Sequence, residues 1–358
     1  MPVYDEAAPR LWPGAVIGAP FTVPLRRLRS HSLRLSDGHR VGVTAGGRGI
    51  PLVVAHGFSF AGGVYVQSLS RLASMGFQVL AVDLAGHGAT DGLGMQGWGL
   101  PAYSRFLGQV LDELGVRRAV FCGHSLGGRL LAEVAAAEPD RAISLILVDA
   151  AVGHAWDDLV AFACWNPALL GVIGATLTAD TLQTLFLTGD QGLKLQGLAI
   201  PQATANTLAP WRLWAPALSV LTSPRSTATL ARLKQARVPV FVLHGERDQV
   251  VPVAAARDAA RRSGGELVLV HDAAHSWLLE DPETLRWIVA DLLGDGLGQA
   301  CLGAIADAGL DPATVSLAEM ERAFYTPGAA ALALGPPGRR EELPPGHREP
   351  RFSWSRVA

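Results

Sequence analysis

Ser125 stands at the centre of a Gly-His-Ser-Leu-Gly run. An apolar run at 119–122 precedes it, and an Ala/Leu-rich helical pattern at 128–138 follows it. The sequence therefore predicts a strand, a very tight turn and a helix, with the serine at the apex of the turn. Such a turn holds the serine oxygen away from the sheet, above a helix N-terminus that favours developing negative charge. The pattern indicates a nucleophile.

This strand-turn-helix context resembles the nucleophile turn of the α/β-hydrolase superfamily, and in particular its esterase/lipase-like serine hydrolases with a helical cap. A serine hydroxyl is a poor nucleophile until a base removes its proton, so a histidine is needed within hydrogen-bond reach. The resemblance implies the chain order serine, acid, histidine. Five histidines follow the serine: His154, His244, His271, His275 and His347.

His275 is the favoured base. It lies in a loop at 271–282, after the last predicted strand and before the last predicted helix of the core. The loop is similar to the family's histidine loop, which commonly has glycine before the histidine, whereas this chain has Ala274. His271, at the end of the strand, is more typical of a structural residue.

The resemblance places the acid after the strand that precedes the histidine strand, and Asp248 matches that position. Its role would be to hold the imidazole in the correct tautomer and to stabilise the imidazolium. Asp149 is the serious rival, because some members of the superfamily place the acid after the strand that it follows here. Glu246 is a weaker competitor, and Asp248 is preferred.

Acyl transfer also needs two backbone N–H groups aimed at the tetrahedral oxyanion. The residue after the nucleophile, Leu126, is expected to supply one. The run His-Gly-Phe at 56–58 matches the family's oxyanion loop, so the resemblance implies Phe58 as the second donor. Phe58 and Phe60 are also candidates to line an acyl pocket. Four further polar residues near these loops are interpreted as structural: His56, Asp83, His87 and His124.

The elements that must position these residues follow from the apolar pattern. Asp-Gly between alternating runs at 33–35 and 40–44 predicts a hairpin. Buried strands are predicted at 51–56, 77–82, 119–122, 143–148, 239–243 and 266–270. Helical patterns alternate with these strands, which indicates an α/β fold with a mostly parallel, doubly wound sheet flanked by helices. The loops that bear chemistry all follow strand carboxyl ends, where such sheets bind ligands.

The alternation is interrupted at 152–233, which is Leu/Ala/Trp-rich and helical. We interpret it as an inserted helical cap, in which tryptophans fill the cap core or line an apolar pocket: Trp156, Trp165, Trp211 and Trp214. The predicted domains are an N-terminal extension at 1–30, a hydrolase core at 31–151 and 234–296, the cap, and a partly disordered C-terminal extension at 297–358. The Pro/Gly-rich stretch at 335–350 is the expected disordered part.

Composition narrows the function classes. The 358 residues carry a formal net charge of −2, which gives no electrostatic footprint for nucleic acid. No apolar stretch approaches the length of a spanning helix, and the N-terminus shows no secretory signal. Cysteines 122, 164 and 301 form neither a disulfide framework nor a zinc pattern, and suit a reducing cytoplasm. Neither a metal nor another cofactor is expected, and a homodimer is the candidate assembly.

The favoured function is a serine hydrolase that cleaves a carboxylic ester of a mainly apolar small molecule. The same residues would serve a carbon–carbon bond hydrolase, a perhydrolase, a lactonase or a thioesterase, which differ in pocket details. Dehalogenases and epoxide hydrolases of this fold carry aspartate at the turn, where this chain has Ser125. The alternative from another class is a non-catalytic ligand-binding protein on a hydrolase fold.

Overall fold

The computed structural model describes residues 25–58, 60–94, 97–187, 189–209, 211–334, 342–343 and 349–357. Within these ranges, the side chains of residues 167, 185, 189, 190, 211–214, 342 and 343 are not described. The expectations for 1–24, for most of 335–348 and for the side chains of Trp211 and Trp214 therefore lie outside the described part of the chain.

The described strands, in chain order, are β1 (Leu25–Arg26), β2 (Arg29–Arg34), β3 (Arg40–Gly47), β4 (Ile50–Ala55), β5 (Phe77–Val82), β6 (Ala119–His124), β7 (Ala142–Val148), β8 (Val240–Gly245), β9 (Glu266–Val270), β10 (Glu342–Leu343) and β11 (Trp354–Val357). Nine of them form one sheet in the order β11-β9-β8-β7-β6-β4-β5-β3-β2. The six strands from β5 to β9 across this order pair in parallel, with antiparallel strands at both edges.

The described α-helices are α1 (Val66–Ala73), α2 (Leu100–Glu113), α3 (Leu126–Ala137), α4 (His154–Trp165), α5 (Pro167–Leu185), α6 (Gly189–Leu208), α7 (Trp211–Leu221), α8 (Ser226–Gln235), α9 (Val253–Ser263), α10 (Trp277–Glu280), α11 (Pro282–Leu293), α12 (Gly296–Asp307), α13 (Leu317–Phe324) and α14 (Ala330–Ala333). Helix α1 packs on α11, whereas α2, α3, α8 and α9 pack on one another in succession.

Five of the parallel strands are buried along their whole length and β9 is buried except at Glu266, as in a sheet that is covered on both faces. Because these strands run parallel, their carboxyl ends meet at one edge of the sheet. Residue 56 follows β4, residue 125 follows β6, residue 149 follows β7 and residue 248 lies just after β8. This arrangement agrees with the predicted mostly parallel sheet, and it brings the loops singled out in the sequence to one edge.

The chain between β7 and β8 forms five consecutive helices, α4 to α8, in place of the strand-helix alternation. Two of them contact the segment that follows β9. Ser276 Oγ donates to Asp180 Oδ2 of α5 at 2.5 Å, and Gln191 Nε2 of α6 donates to the Leu279 carbonyl at 3.2 Å. The insertion is therefore attached to the loop that carries His275.

The C-terminal segment contributes to the sheet. Strand β11 pairs antiparallel with β9, and Arg356 on β11 forms ion pairs with Glu266, Asp291 and Asp295. The short β10 pairs with β1. The sequence predicts no strand beyond residue 270, because the four residues of β11, two of them polar, carry no recognisable strand pattern.

The described helices include no single one that is long and apolar enough to cross a bilayer; α11 and α12 reach that length only together, and they are bent by 60°.

Candidate active site

Ser125 occupies the tight turn between β6 and α3. Its φ of 52° and ψ of −118° lie in a region that residues with a side chain rarely adopt. The turn is tied to the end of β7, because Ser125 N–H donates to the Val148 carbonyl at 2.9 Å and Ala151 N–H donates to the Ser125 carbonyl at 3.1 Å. These bonds hold a strained conformation at the N-terminus of α3, where the sequence predicted a very tight turn.

The loop after β4 lies directly against this turn. A Cβ on Gly57 would stand 2.7 Å from His124 Nδ1 and 3.3 Å from Ser125 Cβ, so only glycine allows so close an approach. In the described part of the chain, neither Phe58 N–H nor Leu126 N–H has a hydrogen-bond acceptor. Two amide donors without an acceptor therefore lie next to Ser125, on the two residues expected to bind the oxyanion.

His275 and Asp248 are joined by a hydrogen bond. His275 Nδ1 lies 2.8 Å from Asp248 Oδ2, and both side chains are buried. The other oxygen, Asp248 Oδ1, accepts the N–H groups of Val250 at 2.7 Å and Val251 at 2.9 Å. Every oxygen of this carboxylate thus has a donor, which fixes its plane relative to the imidazole.

The two groups shift each other's pKa. Burial alone would lower the pKa of His275, but the Asp248 carboxylate outweighs it and raises that pKa to about 9. Burial alone would likewise raise the pKa of Asp248, but the charge of His275 and its hydrogen bond hold it below the usual value. The pair therefore stabilises an imidazolium, as a proton-accepting histidine requires.

His124 links the Ser125 turn to the loop that carries His275. His124, the neighbour of Ser125, has its Nε2 3.0 Å from the His275 carbonyl oxygen, and the two imidazole centres lie 4.9 Å apart. Among the hydrogen bonds of the described residues, none joins Ser125 Oγ to His275 Nε2. Catalytic hydrogen bonds of this kind often tighten only when substrate is bound.

Asp149, the rival acid, is fully buried and has other partners. Its Oδ1 accepts Gly245 N–H at 2.7 Å, and its Oδ2 accepts the indole N–H of Trp277 at 2.6 Å. Burial, and next the charge of Asp248, raise its pKa well above the usual value. Its oxygens hold the ends of the two loops that carry Asp248 and His275, and His275 Nδ1 contacts Asp248 instead.

The other candidates lie elsewhere. Glu246 Oε2 is 3.4 Å from His271 Nδ1, at the protein surface. His154 is exposed and pairs with Asp158. His347 falls outside the described residues. Of the cap tryptophans, Trp156 is buried in a small apolar cluster, whereas Trp165 is 90% exposed.

One group of described residues has spacing suitable for a cation: Asp149, His244 and Asp248, with one atom from each within 4.8 Å of the others. The carboxylate oxygens already accept hydrogen bonds from N–H donors, and His244 Nε2 lies 3.0 Å from the Val251 carbonyl. These contacts account for the two carboxylates without a metal ion. The absence of a cofactor stays a prediction.

Two side chains at the site were not selected from the sequence. Trp277 orients Asp149, and Tyr65 Oη contacts both Gly57 N–H and His124. Trp277 lies two residues after His275, so proximity in the chain was the available signal. Tyr65 had none, because a tyrosine at the end of a loop is equally compatible with core packing.

Comparison with known proteins agrees with this fold. Residues 52–286 match the alpha/beta hydrolase family. A protein of Mycobacterium phage D29, provisionally named a non-heme haloperoxidase, is 34% identical over 274 residues, covering 75% of this chain and 96% of its own. A pimeloyl-[acyl-carrier protein] methyl ester esterase of Nitrosomonas europaea is 30% identical, over 66% of this chain and 93% of its own.

Solved structures show the same fold. An esterase from Rhodococcus sp. ECU1013 superposes with a TM-score of 0.54 at 24% identity, covering 75% of this chain and 98% of its own. A bacterial membrane phospholipase A superposes with a TM-score of 0.57 at 22% identity, over 75% and 87% of the two chains.

The chain belongs to the alpha/beta hydrolase family. The fold class and the esterase/lipase-like hydrolase class predicted from the sequence are thereby confirmed.

Proposed function

We propose that this protein is a serine hydrolase that cleaves a carboxylic ester through an acyl-enzyme intermediate. The observation that carries the proposal is the buried hydrogen bond of 2.8 Å between His275 and Asp248, in a loop whose backbone is bonded to the neighbour of the strained Ser125. A buried imidazole with a raised pKa close to a serine in a strained turn is typical of a nucleophile-base pair.

In this mechanism Ser125 Oγ attacks the ester carbonyl while His275 Nε2 takes the hydroxyl proton. The N–H groups of Phe58 and Leu126 bind the oxyanion of the tetrahedral intermediate. As the C–O bond breaks, the imidazolium returns the proton to the leaving alcohol. Water then attacks the acyl-enzyme in the same way, and releases the carboxylic acid. Asp248 holds the imidazole with Nε2 facing the serine and stabilises its charge.

The helices at 152–233 form the proposed cap over this site. Support comes from the bonds of Asp180 and Gln191 to the segment just after His275. Between residues 166 and 211 the sequence carries only three charged residues, Asp180, Asp190 and Lys194. A cap of this composition favours a mainly apolar acyl or alcohol group in the substrate.

The test is hydrolysis of p-nitrophenyl esters of graded chain length, with thioesters and lactones in parallel. Ser125→Ala is expected to lower kcat by roughly 10⁴-fold or more. Ser144→Ala is the matched control, because Ser144 is fully buried on β7 and its Oγ has no partner among the described residues. Turnover by Ser125→Ala at the wild-type rate would contradict the mechanism. Absence of any turnover by the wild-type protein would favour the non-catalytic binding protein.

A second candidate is perhydrolysis, in which hydrogen peroxide replaces water in the attack on the acyl-enzyme and a peracid leaves. The name of the phage D29 relative favours it. The same ester assay separates the two reactions when peroxide and bromide are added: perhydrolysis brominates monochlorodimedone and requires Ser125, whereas simple hydrolysis gives only the acid. The domain boundaries, a homodimer and a cytoplasmic location stay predictions.

A further inference from the structure

Tyr65 joins the loop after β4 to the serine turn. It ends the 3-10 helix Gly62–Tyr65 and is 2% exposed. Its Oη lies 3.2 Å from Gly57 N and 2.9 Å from His124 Nδ1. A backbone N–H can only donate, so the tyrosine oxygen accepts from Gly57. The same hydroxyl is then free to donate its own hydrogen to a second group.

The direction of the remaining bonds follows from His124. Its Nε2 lies 3.0 Å from the His275 carbonyl oxygen, and a carbonyl only accepts, so Nε2 carries the hydrogen. Burial lowers the pKa of His124 to about 3, so the ring is neutral and holds one hydrogen. Nδ1 is therefore bare, and it accepts the hydroxyl hydrogen of Tyr65.

Three loops are thus connected by bonds that all run the same way. Gly57 N–H donates to Tyr65, Tyr65 donates to His124, and His124 donates to the His275 carbonyl. All four of these hydrogen-bonded residues are buried. The amide of Gly57 is consumed by Tyr65, which leaves the next amide, on Phe58, for the oxyanion.

We propose that Tyr65 and His124 are positioning residues that hold the oxyanion loop, the Ser125 turn and the His275 loop in one fixed arrangement. This role rests on the proposed hydrolase function. Neither side chain touches the reacting atoms in this account. Their effect is to fix the distances among the amide of Phe58, the oxygen of Ser125 and the imidazole of His275. A displacement of about 1 Å in any of these groups would lower the reaction rate.

The first test removes single bonds. Tyr65→Phe deletes only the hydroxyl, and we expect kcat to fall roughly tenfold to a hundredfold while KM stays within about twofold. Tyr325→Phe is the matched control: it deletes another buried tyrosine hydroxyl, one that donates to Gln78 Oε1 at the opposite end of β5, and it should leave kcat unchanged. A Tyr65→Phe protein that unfolds like wild type and keeps its kcat would overturn the proposal.

The second test replaces the ring between the loops. His124→Gln can still donate to the His275 carbonyl and accept from Tyr65, so it should retain activity within about tenfold of wild type. His124→Leu can do neither and should lose activity by at least a further tenfold. Equal activity of the two variants would overturn the proposal, because packing alone would then explain the residue.

A measurement that needs no turnover separates this inference from the proposed function. The ¹⁵N chemical shifts of His124 should show a neutral ring with hydrogen on Nε2 from pH 5 to pH 8, in wild type and in Ser125→Ala alike. A hydrogen on Nδ1, or a charged ring at pH 6, would overturn the proposal. If this tautomer is found and Ser125→Ala remains fully active, the bonded arrangement stands and the hydrolase mechanism fails.

Discussion

Two buried carboxylates lie near His275, and their contacts give them different tasks. Asp248 bonds to the imidazole, whereas Asp149 spends both oxygens on Gly245 N–H and on the indole of Trp277. Asp248 therefore acts on the base directly. Asp149 keeps in place the strand end and the helix between which the base is held.

The pH dependence of activity should report on this pair. His275 accepts a proton only when neutral, so kcat/KM should rise with pH through the pKa of His275, with a midpoint at about 9. Asp248→Asn removes the charge that raises this pKa. The midpoint should then move to lower pH, and kcat should fall roughly 10⁴-fold because the imidazole is no longer held in the productive tautomer.

Asp149→Asn is the comparison, since it alters a carboxylate of similar burial that does not bond to His275. Its loss in kcat should be about tenfold or less once thermal unfolding confirms a folded protein. A larger loss in Asp149→Asn than in Asp248→Asn would reassign the acid to Asp149.

At the scale of elements, the site depends on close contact between the end of β4 and the start of α3. Gly127 lies in the first turn of α3, and an added Cβ would stand 2.2 Å from the Ala55 carbonyl oxygen. Helix α3 can therefore pack this closely against the end of β4 only because residue 127 is a glycine. This contact places the amides of Phe58 and Leu126 near the same serine.

Gly127→Ala should force the oxyanion loop away from the turn. We expect the free energy of unfolding to fall by about 1–3 kcal/mol and ester hydrolysis to fall with it. Gly303→Ala is the control, because Gly303 is an exposed position inside α12 where an added Cβ meets nothing within 4 Å. That variant should be stabilised by about 0.5–1 kcal/mol. Thermal unfolding and p-nitrophenyl ester turnover check both; an unaffected Gly127→Ala enzyme would contradict the contact.

At the scale of the whole molecule, the sequence predicted what depends on local pattern. Continuous apolar runs such as 239–243 predicted the parallel strands, because a sheet that is covered on both faces leaves few polar positions. The Gly-His-Ser-Leu-Gly run between a strand pattern and a helix pattern predicted the tight turn at Ser125. The histidine and acid loops were found by their place in the resemblance to the α/β-hydrolase superfamily, and the structure joins them at 2.8 Å.

Long-range contacts between short or ordinary segments were not predictable. Strand β11 has four residues, and its pairing with β9 depends on partners 84 to 90 positions earlier in the chain. Tyr65 resembles any buried aromatic residue until the fold brings its hydroxyl to His124, 59 positions along the chain. A bonded chain of this kind is a property of tertiary structure, since each member bonds to a group on another loop.

The central claim is that Ser125 is an activated nucleophile, and covalent labelling tests it most directly. A fluorophosphonate should modify the folded protein once, and peptide mapping by mass spectrometry should place the adduct on Ser125. Labelling should be absent in Ser125→Ala and strongly slowed in His275→Ala, which retains the hydroxyl but lacks the base. An adduct on another residue of an esterase-active preparation, or labelling of His275→Ala at the wild-type rate, would contradict the account.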